Sequence, residues 1–330
     1  MAGPAAATAL RSRTILELIA SLMQAGFEVA GEGVLLATMP PVLERFGARN
    51  AQYIARKFVS CDAAAGVAGA LAPVNYLSRV TDTPFQMLET SASHAVKRLQ
   101  SCEFADAFAS KDPFARALIC QLHRAVYQGS VNGLVREPAR DGYDVSLRSR
   151  ILFGDAHCDF VVDARASPSG PGPGDGTERR AITPAELEDQ SHQFYMAILL
   201  ALVDHLDSIL SPEQLAAVVD RCGRDVGAKV ARLLQPEGSP QQRVEFLLTL
   251  GGRTMRGLEA HACPYASAIA AAARGRPPAD AHRLREGACG LCTSFLSGAV
   301  GQAGAPPAHV ARDGALAHGD AACRFRVEGA

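Results

Sequence analysis

The strongest constraint on this chain is that it repeats itself. The string Gly154-Asp155-Ala156-His157-Cys158-Asp159-Phe160 returns as Gly319-Asp320-Ala321-Ala322-Cys323-Arg324-Phe325. Upstream, the same marks precede both copies in the same order. Cys120-x-x-His123 followed by Gly129 matches Cys289-x-x-Cys292 followed by Gly298, with equal spacing from first cysteine to glycine. Cys102-Glu-Phe104 matches Cys263-Pro-Tyr265, and Arg45-Phe-Gly47 with Ala55-Arg56 matches Arg221-Cys-Gly223 with Ala231-Arg232. The intervals between marks differ by a few residues, as loop insertions produce. Between the halves, residues 166–183 are a Pro/Gly run with almost nothing to bury, which reads as a linker. At 330 residues the chain is long enough for two cores. The expected division is a domain over 1–165, the linker over 166–183 and a related domain over 184–330.

Periodicity assigns the elements. Apolar residues fall at helical spacing in Ile15–Met23, Val42–Phe58, Ala115–Tyr127, Phe194–Leu210, Pro212–Leu234 and Arg283–Leu296. Tyr143–Phe153, His157–Val162, His309–Ala317 and Ala322–Val327 alternate or are rich in strand formers, and a Gly-Asp pair between two such runs signals a hairpin. The fold class expected is α+β: two tandem related domains, each with N-terminal helices packed on an antiparallel sheet closed by a C-terminal β-hairpin.

Charge narrows the partners. Lys plus Arg (33) and Asp plus Glu (34) leave a net charge of −1, and no basic block stands out, so nucleic acid is not an expected partner. No uncharged apolar stretch approaches the ~18 residues of a membrane span. The segment after Thr14 is amphipathic and not the core of a signal peptide, which predicts a cytoplasmic protein with reduced thiols, and nine cysteines cannot all pair. No phosphate loop, dinucleotide fingerprint or His-Glu-x-x-His motif is present, so no nucleotide cofactor is expected. A small molecule is the expected partner, and a homo-oligomer is compatible with the sequence.

The recurring cysteines carry the candidate chemistry. Cys102, Cys120 and Cys158, like Cys263, Cys289 and Cys323, sit at places that one packed layer would bring together. As nucleophiles, Cys158 or Cys120 need a base, and His123 (on the same helical face as Cys120) or His157 supplies one. Cys102, Arg45, Arg56 and Asp155 are the candidates for substrate binding, with arginine suited to a carboxylate. As a soft-ligand cluster, Cys102, Cys120, Cys158, Cys263, Cys289, Cys292 and Cys323 would hold zinc or an iron–sulfur cluster. The plain alternatives are that cysteines pack in the core, Asp155 and Asp320 hold turns, and arginines cover helix surface. In the second half His282, Glu286, His318 and Asp320 lie near the corresponding marks, but Cys292 replaces the histidine. The first half therefore reads as active and the second as its support.

The segments Cys102–Phe108, Cys120–His123 and Asp144–Phe160 resemble the L-2-amino-thiazoline-4-carboxylic acid hydrolase family, and Cys263–Phe325 resembles the 4-vinyl reductase type of small-molecule-binding domain. The first resemblance implies a hydrolase acting on a C–N bond of a small, cyclic amidine-like acid through a cysteine, with no cofactor. The alternative expectation is a non-catalytic protein that binds a small molecule or senses zinc or an iron–sulfur cluster.

Overall fold

The computed structural model describes residues 4–60, 66–109, 111–135, 138–166, 177–178, 182–263, 265–301 and 308–329. In chain order these form α1 (Pro4–Ala30), α2 (Glu32–Lys57), β1 (Val59–Ser60), α3 (Gly66–Val80), β2 (Phe85–Thr90), β3 (His94–Leu99), α4 (Ala105–Phe108), α5 (Pro113–Asn132), α6 (Pro138–Asp141), β4 (Tyr143–Ser149), β5 (Cys158–Ala164) and β6 (Thr177–Glu178). The second half continues with α7 (Pro184–Ile209), α8 (Pro212–Leu234), α9 (Pro240–Leu250), β7 (Thr254–Arg256), β8 (Glu259–Ala262), α10 (Ala266–Ala273), α11 (Pro278–Val300), β9 (His309–Arg312) and β10 (Cys323–Glu328). Helix starts follow local chemistry. Ser211 and Ser239 open α8 and α9 with reciprocal capping boxes to Gln214 and Gln242, and the Asp112 carboxylate accepts the Phe114 N–H ahead of Pro113 in α5.

The fold is α+β, and the duplication extends to strand order. One sheet runs β2-β3-β5-β4 and the other β7-β8-β10-β9, all antiparallel. Within each sheet the closing pair is joined by the repeated Gly-Asp turn. This connection is longer than a tight hairpin, because β4 stops at Ser149 and β9 at Arg312, each followed by a short 3₁₀ turn at Ile151–Phe153 and Leu316–His318. Gly154 and Gly319 end those turns at φ 98° and 96°, a left-handed conformation that glycine takes without strain. The Asp155 carboxylate then accepts the Arg150 N–H at 2.6 Å, and Asp320 accepts the Ala315 N–H at 2.7 Å.

The other repeated glycines mark helix crossings. A Cβ on Gly47 (α2) would lie 2.2 Å from the Val126 carbonyl oxygen, and one on Gly129 (α5) 1.9 Å from that of Glu44. In the second half a Cβ on Gly223 (α8), the counterpart of Gly47, would lie 2.5 Å from the Ser294 Cβ, and one on Gly298 (α11) 2.1 Å from the Arg224 carbonyl oxygen. A Cβ on Gly227, one turn on and without a first-half counterpart, would meet the Phe295 carbonyl oxygen at 1.9 Å. Backbones this close leave no room for a side chain, so the glycines set the α2–α5 and α8–α11 packing that covers each sheet.

The chain separates into two compact units, 32–191 and a second made of 1–31 with 192–330. This corrects the expected first domain of 1–165, because α1 belongs with the C-terminal half. Ile15, Ile19, Leu22 and Met23 form its buried stripe, and Glu28 pairs with Arg221 of α8 at 2.5 Å. Of the expected linker 166–183, residues 167–176 and 179–181 lie outside the described residues, while Thr177 and Glu178 pair with β1. Among the described residues no helix is long and apolar enough to cross a membrane.

Candidate ligand site

Corresponding cysteines gather in each unit. In the unit of 32–191, Cys102, Cys120, His123 and Cys158 line one small cavity of about 10 Å³, roughly the room of a single water probe. Cys102 precedes α4, Cys120 and His123 share a face of α5, and Cys158 opens β5. The sulfur of Cys158 accepts the Ile151 N–H at 3.2 Å, tying it to the turn.

The electrostatics there keep the thiols protonated. Burial pushes Cys120 up to about 12, with Cys158 adding to the shift and Arg150 opposing it. Burial likewise raises Cys158, against the pull of the Ile151 N–H, and raises Cys102, to which Glu103 adds. His123 is buried among Phe104, Tyr127 and Phe160, with ring centroids 5.9, 5.1 and 5.2 Å away. Burial lowers its pKa; Glu103, whose carboxylate lies 3.9 Å from Nε2, pulls it upward, and Lys97 lowers it further. His123 is therefore neutral at pH 7 and capable of accepting a proton.

The remaining first-half candidates stand elsewhere. His157 faces Asp159 at 3.5 Å, and Asp159 is held by two 2.9 Å hydrogen bonds from Arg98. Successive strand residues point to opposite faces, so this group is turned away from the sulfur of Cys158, which packs in the core. Asp155 is consumed by its turn. Arg45 and Arg56 are exposed on α2 and do not line the cavity.

The larger cavity belongs to the other unit. It measures about 130 Å³ and is lined by Cys263, Cys289, Cys292 and Cys323 together with Leu18, Leu199, Leu248, Ile269, Phe295 and other apolar side chains. Its described lining includes Arg11, Arg253, Arg312 and Tyr265, and no Asp or Glu. Arg253 is positioned by the end of α9, where Gly252 takes φ 81° and the Arg253 N–H returns to the Leu248 carbonyl at 3.0 Å. Its guanidinium lies over Tyr265, 5.1 Å from the ring centroid, and Nη2 donates to Cys292 Sγ at 3.3 Å. Nε of Arg253 and Nη1 of Arg312 are buried without a hydrogen-bond partner. Burial pushes Cys289 up to about 12 against the pull of Arg312, and raises Cys292 against that of Arg253. The Cys289 and Cys292 thiols are thus neutral; Arg312 is paired through Nη2 with Glu286 Oε2 at 3.1 Å, outside the lining, while the described lining itself carries no carboxylate.

The cysteine sets therefore meet, but not as a ligand cage. Among the described residues, the group of three or more His, Cys, Asp or Glu whose ligand atoms all lie within 4.8 Å of one another is His282, Glu286 and His318, with no cysteine in it. The sequence placed the active half first, whereas the roomier cavity lies in the second. Arg253 and Arg312 were missed. Their signal was faint, since an arginine after Gly-Gly and one at a strand end look like surface residues until the cavity is seen. Glu103 was passed over within the Cys-Glu-Phe mark for the same reason. No protein-family model matches this chain, and neither the curated proteins nor the solved structures yield a match.

Proposed function

We propose that the chain is a small-molecule-binding protein whose unit of 1–31 and 192–330 takes a compact apolar acid, the ring or chain filling the cavity and the acid group meeting Arg253 and Arg312. The observation that carries this reading is an apolar cavity whose described lining has no carboxylate but holds Arg253 and Arg312, each with one buried guanidinium nitrogen that makes no hydrogen bond, although Arg312 is also paired through Nη2 with Glu286. A buried N–H left unmade costs about 1–3 kcal/mol, more for charged groups, so an anion that completes both is strongly favoured. The volume sets the size. An apolar cavity of ~150 Å³ holds benzene, so the ~130 Å³ here suits a single ring or a short branched chain.

The cysteine-hydrolase reading of the first half has one supporting arrangement, Cys120 with the Glu103-flanked His123. Against it stand raised thiol pKa values and a cavity of about 10 Å³, too small for an organic substrate without opening. The binding reading is tested by calorimetric titration of the full chain with benzoate and with benzyl alcohol. Saturable binding of benzoate at least about tenfold tighter than that of the alcohol is expected from a charge-assisted contact. Equal or absent binding of the two probes would count against it.

A further inference from the structure

We propose that His282, Glu286 and His318 form a binding site for a divalent transition-metal ion of the zinc class. His282 and Glu286 stand four residues apart on α11, so one helix face presents both. His318 closes the 3₁₀ turn immediately before Gly319, and its ring meets that of His282 edge to face at a centroid distance of 5.7 Å.

Three features favour a metal over a plain surface contact. The ligand atoms of all three residues lie within 4.8 Å of one another. Zinc bonds of about 2.0–2.2 Å to nitrogen and oxygen place tetrahedral donors roughly 3.3 Å apart, a distance reached by small rotations of the exposed His282 and Glu286. The His318 Nε2 is buried and makes no hydrogen bond, although Glu286 Oε1 is 3.3 Å away.

The surroundings are consistent with a three-ligand site that leaves a position for water. Arg312 donates to the other Glu286 oxygen, Oε2, at 3.1 Å, which orients the carboxylate and leaves Oε1 facing the histidines. Two histidines and one carboxylate are borderline donors that suit zinc, cobalt, nickel or copper better than calcium or magnesium. The duplication supplies an internal control. The first half carries Pro113, Ala117 and Phe153 at the matching positions, so the fold itself does not require these ligands.

Cobalt(II) titration of the full chain at pH 7.5, followed by absorption spectroscopy, tests the proposal. One equivalent should bind, without the strong sulfur-to-cobalt charge-transfer band of thiolate sites. His282→Ala, whose side chain is exposed, and His318→Ala should each weaken binding at least about tenfold, while His261→Ala, an exposed histidine on β8, should leave it unchanged. No saturable binding, a sulfur charge-transfer band, or undiminished affinity in His282→Ala would overturn it.

Discussion

The Ile151 N–H donates to the Cys158 sulfur over 3.2 Å, and Leu316 repeats the bond to Cys323 at the same distance. The cysteine of each Gly-Asp-x-x-Cys-x-Phe copy thus has a structural task, fastening the 3₁₀ turn to the first residue of the closing strand. Cys158→Ala would orphan a part-buried N–H and should cost about 1–3 kcal/mol, whereas Cys158→Ser, which keeps an acceptor, should cost less. Urea unfolding of the two variants orders them. Equal stability of both with the unaltered chain would show the contact to be idle.

The glycines at the helix crossings make a second prediction. Gly129→Ala places a methyl group 1.9 Å from the Glu44 carbonyl oxygen and must push α5 from α2. Overpacking of this kind costs about 1–3 kcal/mol or more. At Gly154 there is open space around the Cβ, and only the left-handed backbone resists, so Gly154→Ala should lose about 1–2 kcal/mol. Thermal unfolding should place Gly129→Ala below Gly154→Ala.

Lys97 gives the folded chain a pH dependence of known sign. It is fully buried, donating to Ser78 Oγ at 2.7 Å beneath the Phe85 ring, and burial carries its pKa well below 10.5, with Arg79 lowering it further and Glu103 opposing. Between the folded value and 10.5 the unfolded chain holds a proton that the folded chain does not, so this group's contribution to stability falls as pH is lowered through that window. Lys97→Met keeps the volume and leaves Ser78 its bond to the Val74 carbonyl. Denaturant unfolding from pH 7 to 10 should show the unaltered chain gaining stability with pH relative to Lys97→Met, and the variant at least as stable at pH 7. A variant that loses several kcal/mol at pH 7 would mean that the cation is favoured in place.

The repeat was legible because its marks are backbone requirements. Gly154 and Gly319 need left-handed φ, Asp155 and Asp320 satisfy turn amides, and Gly47, Gly129 and Gly298 meet a facing carbonyl. Such demands admit few residue types and so survive as a pattern. The partner of α1 was not legible, since its apolar stripe specifies burial without specifying against what. Nor was the better cavity. His157 stands beside Cys158 in sequence, but strand alternation turns it toward Asp159, and cavity volume depends on how Leu199, Leu248 and Phe295 pack from separate elements. The Glu286 and His318 pair joins a helix and a turn far apart in sequence, a contact no local spacing encodes.

Thiol reactivity distinguishes a cysteine nucleophile from a cysteine that only packs. With its pKa near 12 against an ordinary 9.0, Cys120 carries roughly a thousandfold less thiolate at pH 7 than an unshifted thiol. Iodoacetamide at pH 7 should label Cys120 and Cys158 far more slowly than an unstructured cysteine peptide, with the modified sites read by mass spectrometry. Rapid, selective labelling of either would restore a cysteine nucleophile in the first half.

If the second half's cavity holds an acid, Arg253 is the residue that must bind it. The direct measurement is benzoate affinity by calorimetry in the unaltered chain and in Arg253→Met, a change that keeps an apolar stem against Tyr265 while removing the charge, with folding checked by circular dichroism. Loss of a charge-assisted contact worth about 1.5–3 kcal/mol predicts benzoate binding weakened by roughly ten- to a hundredfold, with benzyl alcohol binding little altered. Benzoate binding unchanged in Arg253→Met would contradict the account.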